Sequence, residues 1–285
     1  MKRPLLILTA LLAVNSAHAF NLGEAFEKLN DPNVQKALNI GKKVVDANKE
    51  VTEPQEIEIG RGVAANLLGA APLVRNDGLQ KYVNRVGMWL ALQTERPDLP
   101  WRFGVIDTPN VNAFAAPGGT ILITRGLYEK LRNESELAGV LAHEIAHVLQ
   151  KHQLKAIKSA LGREWKMDIA AAAADRKDNS DARNSLKAFT AGTELFARGL
   201  DKKDEHEADR MGVVIAARAG YNPYGLVGSL QTLDAVNPQD GAVALMFKTH
   251  PTPAKRLELL SVSMGETLDT YADSAKEPAR FYVLK

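Results

Sequence analysis

Two histidines four residues apart, with a glutamate beside the first, are the residues of this chain best suited to chemistry: His143-Glu144-Ile145-Ala146-His147. Four residues of α-helix turn through about 400°, so both imidazoles leave nearly the same face, one turn apart. Two rings so placed can grip one zinc ion, and Glu144 can act as general base on a water held there. The chemistry would be metal-assisted hydrolysis. The plain alternative is a helix whose histidines only fill core or surface positions. The chain has no cysteine, which excludes disulfides, thiol nucleophiles and cysteine-held metals, so His, Asp and Glu must supply any ligands.

A zinc site with one open position needs a third protein ligand. A metzincin would have Gly at position 150 and His at position 153, but those positions hold Gln150 and Gln153. His152 is close in sequence. Five residues of continuous helix would turn it about 140° off the face of His147, so it reads as a packing or supporting residue. A gluzincin takes its third ligand from a downstream helix, and Asp204-Glu205-His206-Glu207-Ala208-Asp209 offers one. Glu205 and Asp209 share a face, while Glu207 lies about 200° round from Glu205. Glu205 is the candidate ligand. Asp209 is the candidate acceptor for the outer N–H of a ligand histidine, fixing its tautomer. The alternative is an ordinary solvated helix start, where acids are favoured anyway.

Patterning supplies the elements that must position these groups. Apolar residues at near-helical spacing (Ile57, Val63, Ala64, Leu67) follow a break near Thr52-Glu53-Pro54. Leu79, Val83, Val86 and Leu90 mark a second helix over Asp77 to Leu92. Trp101 to Val105, Asn112 to Ala115 and Thr120 to Thr124 read as short strands, the last two separated by the break Pro117-Gly118-Gly119. Asn133 followed by Glu136 resembles a capping box that opens the helix carrying His143 and His147. Further helices are expected over about Lys203 to Ala219, stopping at Gly220, from Asn222-Pro223 to about Leu233, and from near Pro253. Asp175 to Asn184 is polar and is a candidate loop near the cleft.

With these elements in place the chain resembles the HtpX/BepA/LoiP group of zinc metallopeptidases, whose pattern is H-E-x-x-H followed by E-x-x-x-D. Glu58-Ile59-Gly60-Arg61 resembles the group's N-terminal segment, and Asn112-Ala113-Phe114-Ala115-Ala116-Pro117-Gly118-Gly119 its strand before the active-site helix. Thr249-His250-Pro251 with Arg256 resembles its H-P-x-x-x-x-R element. The resemblance covers roughly residues 53 to 260. It implies an α+β, mostly helical, gluzincin-type fold with a small sheet over the active-site helix. It implies one zinc ion per chain on His143, His147 and Glu205, with Glu144 catalytic and Asp209 and Arg256 supporting. His250 would either donate to the oxyanion during attack or ligate the metal in a self-inhibited state; capping a turn is its plain alternative. Asn112, Ala113, Phe114 and Ala115 would form the edge on which a substrate strand is laid.

The implied function is endoproteolysis of misfolded or misassembled cell-envelope proteins. Its rival is a chaperone-like binding module with a closed, largely inactive zinc site; an intact Glu144 argues against that, because a scaffold needs no base. An aminopeptidase would need an acidic group for the substrate's amine, which the sequence does not locate. Neither spanning helices nor the tetratricopeptide repeats of some relatives are seen, so a stand-alone peptidase domain is expected.

Composition agrees with an exported globular protein. Hydrophobic residues make up 45% and charged residues 25% of 285, which excludes a disordered chain. Met1-Lys2-Arg3, the apolar run Leu5 to Val14 and Ala17-His18-Ala19 read as a secretory leader cleaved after Ala19, giving a periplasmic protein. Losing Lys2 and Arg3 leaves the basic and acidic residues balanced, so nucleic acid is not an expected partner. Protein or peptide substrates are, with peripheral contact to membrane or outer-membrane assembly left open. The expected divisions are a signal peptide over 1–19, a helical segment over 20–52, the metallopeptidase domain over 53–265 and a polar tail over 266–285.

Overall fold

The computed structural model describes residues 50–159, 200–237, 240–244, 246, 250–274 and 281–284. The readings for the leader, for the segment up to residue 49 and for Asp175 to Asn184 lie outside these residues.

Helix α1 (Glu53–Ala70) starts where the sequence breaks: Thr52 N–H donates to Gln55 Oε1 at 3.0 Å and Pro54 sits in the first turn, where proline forfeits no helical hydrogen bond. Helix α2 (Asp77–Ala91) is capped by Asn76, whose Oδ1 accepts from Leu79 N–H, and it buries Leu79, Val83, Val86 and Leu90 along one face. Three strands follow: β1 (Arg102–Ile106), β2 (Ala113–Ala116) and β3 (Thr120–Thr124). Their order is β1-β3-β2, with β3 parallel to β1 and antiparallel to β2. The β2–β3 hairpin turns through Gly118 and Gly119 at φ +75° and +103°. A Cβ on Gly118 would also lie 2.6 Å from the Ile57 Cα, so both backbone conformation and the closeness of α1 demand glycine there.

After the short α3 (Arg125–Tyr128) comes α4 (Glu134–Leu149), the central element. Asn133 Oδ1 accepts from Glu136 N–H at 2.8 Å. The expected capping box is only half made, because the Glu136 carboxylate turns to Arg132 N–H and the Arg132 guanidinium instead of to Asn133. Every residue from Glu134 to Val148 is buried, so α4 is covered on all sides and not on one stripe alone. It packs against α2, β2, β3, α5 (Lys202–Arg218) and α6 (Gly225–Asp234). Leu137, Leu141 and Ile145 of α4 join Val83, Leu90, Ile121 and Ile123 in the main core, each such side chain contributing about 1.5–3 kcal/mol by leaving water. Helix α7 (Pro253–Met264) closes a second small core with Val213, Leu226 and Leu230, and α8 (Asp269–Ser274) follows it. Among the described residues the chain is mostly helical with one small sheet, as the pattern implied. Among the described residues no helix is long and apolar enough to cross a membrane.

Two polar ties were not anticipated. Glu134, buried at the start of α4, accepts hydrogen bonds from Tyr82 Oη at 2.8 Å and Tyr221 Oη at 3.0 Å, joining α2 and the end of α5 to the helix that carries the histidines. At the chain's end, where a polar tail was expected, Phe281 stacks on Tyr128 and Tyr282 stacks on Tyr82. Tyr282 Oη donates to Asn76 Oδ1 at 2.9 Å. Residues 281–284 therefore lie against the body of the fold.

Candidate metal centre

The approach of α5 to α4 creates the site. A Cβ on Gly212 would sit 2.9 Å from the backbone nitrogen of His143, so only glycine lets the two helices come this close. Asp209 and Glu205 precede Gly212 by three and seven residues and therefore share its face. That face meets His143 and His147.

His143, His147, Glu205 and His250 converge around one point. The Nε2 atoms of His143 and His147 are 3.1 Å apart. Glu205 Oε1 lies 3.5 Å from His147 Nε2 and 3.8 Å from His250 Nε2, and Oε2 lies 3.7 Å from His143 Nε2. These carboxylate separations are too long for hydrogen bonds, and neither oxygen of Glu205 has a hydrogen-bond partner although the residue is 1% exposed. Two ligands of a tetrahedral zinc at ~2.0–2.1 Å are roughly 3.3 Å apart, so the spacing suits atoms that share an ion.

Around this centre the outer contacts are strong. Asp209 Oδ1 lies 2.9 Å from His143 Nδ1; a carboxylate only accepts, so the ring proton sits on Nδ1 and the Nε2 lone pair faces the cluster. Arg256 of α7 donates to both oxygens of Asp209, through Nε at 3.0 Å and Nη2 at 2.5 Å, the two-pronged geometry that suits guanidinium. Burial alone would raise the Asp209 carboxyl, but Arg256 and the His143 N–H outweigh it and hold the group far below the usual carboxylate range. Glu144, 3% exposed, is pushed up to about 8, chiefly by burial, with Arg256 opposing and Asp209 adding to the shift. Burial also drives Glu205 well up. It drives His143, His147 and His250 down, which keeps the rings neutral as metal ligands must be.

His152 does not follow the angle derived from the sequence. Helix α4 stops at Leu149, and Lys151 adopts φ 56°, a left-handed conformation that redirects the chain. A new helical stretch begins at 152, and the fully buried His152 ring returns to His147, Nδ1 to Nδ1 at 2.9 Å. Continuous helical rotation does not describe this residue because the helix is broken before it.

The candidate substrate edge is β2. Ala113 and Ala115 face the main core with α4, while Phe114 faces the opposite side, against Leu67, Ala71 and Leu122. Thr124 N–H donates to the Asn112 carbonyl at 3.0 Å. By the antiparallel alternation, the backbone groups of Ala113 and Ala115 then point away from β3, toward an edge that no strand among the described residues covers. Asn112 is buried just before β2, and its Nδ2 has no hydrogen-bond partner.

The sequence profile of Peptidase family M48 matches residues 77–263. The chain is 30% identical over 206 residues to the beta-barrel assembly-enhancing protease of Escherichia coli (strain K12), covering 71% of this chain and 42% of that protein. It is 32% identical over 185 residues to the mitochondrial metalloendopeptidase OMA1 of Schizosaccharomyces pombe, covering 65% of this chain and 53% of that one. To the metalloprotease YcaL of Escherichia coli (strain K12) it is 30% identical over 159 residues, 56% of this chain and 60% of the relative. The chain thus spans about two fifths of the length of the first of these and more of the other two. The profile match runs from α2 through α7 and takes in both histidines of α4, the acidic pair of α5 and Arg256, and on that match the chain belongs to Peptidase family M48.

Proposed function

We propose that this chain is a zinc-dependent endopeptidase, held by residues 53–265, that acts on misfolded or misassembled cell-envelope proteins after export to the periplasm. The observation that carries the metal reading is Glu205. A buried carboxylate with two unpartnered oxygens is strongly disfavoured, and the three imidazoles around it are neutral. One divalent cation satisfies all of these groups at once, so the residues present fit zinc on His143, His147 and Glu205. When bound, the ion polarises the scissile carbonyl and makes water nucleophilic near neutral pH.

The chain's own groups supply the rest. Glu144 takes the proton of the attacking water and passes it to the leaving amine nitrogen. Asp209, fastened by Arg256, keeps the His143 proton on Nδ1. A peptide laid along β2 as an added strand meets the outward carbonyl of Ala113 and both outward backbone groups of Ala115, with the Asn112 amide as a further donor, while the Ala113 N–H is already held by Asn112 Oδ1 at 3.0 Å. The leader sequence supports export, and the likeness to a beta-barrel assembly-enhancing protease supports envelope substrates.

His250 favours a second reading, a closed module. Its Nε2 stands within the same cluster, and a fourth protein ligand would fill the position that water needs. Cleavage of reduced casein by the zinc-loaded chain tests both. Chelation is expected to abolish cleavage and readdition of zinc to restore it. His250→Ala is expected to raise kcat if the ring closes the site and to lower it if the ring donates to the oxyanion. Cleavage that survives chelation would refute the metallopeptidase.

A further inference from the structure

We propose that His152 is a positioning residue for His147, holding that ring's proton on Nδ1 so that Nε2 is free for the metal. This rests on His147 being a ligand. His147 Nε2 lies in the cluster, so an ion held there would take that lone pair and leave the ring's one proton on Nδ1. That nitrogen is 2.9 Å from His152 Nδ1, which must therefore accept. The proton of His152 then sits on Nε2, which makes no hydrogen bond but lies 3.5 Å from Asp204 Oδ1 and 3.4 Å from Glu207 Oε2. The ion sets the tautomer of His147, the Nδ1–Nδ1 contact passes that choice to His152, and the negative field of the two carboxylates favours the proton on Nε2.

The two ligand histidines are thus supported differently. His143 is held by a carboxylate locked to arginine, and His147 by a neutral ring whose far side meets two carboxylates, one of them half exposed. The break at Lys151 is what brings the second support into reach. The ligand-capable atoms of His152, Asp204 and Glu207 also lie close enough to hold a second cation. Such a cation would have to displace the Nε2 proton, leaving one proton between the two Nδ1 atoms and one ring deprotonated. A proton in that place needs no such ionisation, and the geometry favours it.

Zinc affinity of the full chain, measured by competition with a chelator, tests this with His152→Phe and His152→Asn. Phenylalanine keeps a flat ring but removes the acceptor. Asparagine places Oδ1 near the former Nδ1. The Phe variant is expected to bind zinc ~10–100-fold more weakly, with KM unchanged once zinc is saturating, and the Asn variant to recover most of the affinity. If His152→Phe does not fold, as read by circular dichroism and melting, His152→Ala replaces it. Equal losses in both variants, or no loss with Phe, would overturn the proposal. So would a second zinc in the wild type that both variants lose. A wild type that binds no zinc would defeat the peptidase reading as well, and is told apart because the variants then have nothing to lose.

Discussion

Replacing Glu144 by glutamine is expected to lower kcat by roughly 10²–10⁴-fold while zinc content and KM stay near wild type. Glutamine preserves shape and removes the one group placed to carry a proton. No neighbour can take over: Asp209 is committed to Arg256 and His143, and Glu205 is the proposed ligand. Stability is not expected to fall, because burial already favours the uncharged form of Glu144, pushing it up to about 8. Steady-state kinetics on casein or a quenched peptide, with metal analysis of the same samples, checks this. Full activity with glutamine at 144 would mean that the proton is carried elsewhere.

Glu205→Gln is expected to act in opposite directions on binding and on stability. Zinc affinity should fall by more than the ~10–100-fold typical of groups that only orient a ligand, because a neutral amide replaces the anionic donor. The metal-free chain should become more stable by about 1–3 kcal/mol, because burial drives the Glu205 carboxyl well up, so that folding near neutral pH must protonate it, a cost the amide does not carry. At ~2–4 °C per kcal/mol for a chain of this size class, the melting temperature of the chelated variant should exceed that of chelated wild type by several degrees. Saturating zinc should reverse the order, since a ligand at 100 times its Kd stabilises by about 2.7 kcal/mol. Parallel thermal melts of both proteins, with chelator and with zinc, check this. A variant less stable than wild type without metal would mean that Glu205 already has a satisfied partner and that the ion has no structural reason to bind there.

What could be read from the sequence, and what could not, follows the physics of local against non-local order. Spacing within one unbroken helix is enough to pair His143 with His147 and Glu205 with Asp209, because rotation per residue is constant. The bridge between those two pairs needs α5 to touch α4, and Gly212 is the trace of that closeness, visible only once the partner backbone is known. The angle expected for His152 fails for the opposite reason, although a packing or supporting place is where the ring lies: the angle assumes a continuing helix, and the left-handed Lys151 ends it. Glycine would have signalled such a turn, but lysine gives no sign. The three strands are legible as apolar runs, while the order β1-β3-β2 and its mixed directions depend on contacts far apart in sequence. Phe281 and Tyr282 sit in a polar segment too short for any periodicity, so their docking on Tyr128 and Tyr82 shows only in three dimensions. Glu136 turning back to Arg132 is a similar case, since asparagine caps α4 without the reciprocal bond that a full box requires.

Anomalous diffraction at the zinc edge from crystals of the zinc-loaded chain tests the central claim most directly. The expected result is one peak per chain, ~2.0–2.2 Å from His143 Nε2, His147 Nε2 and a Glu205 oxygen. Absence of a peak there, or a sole peak beside His152, Asp204 and Glu207, would contradict it.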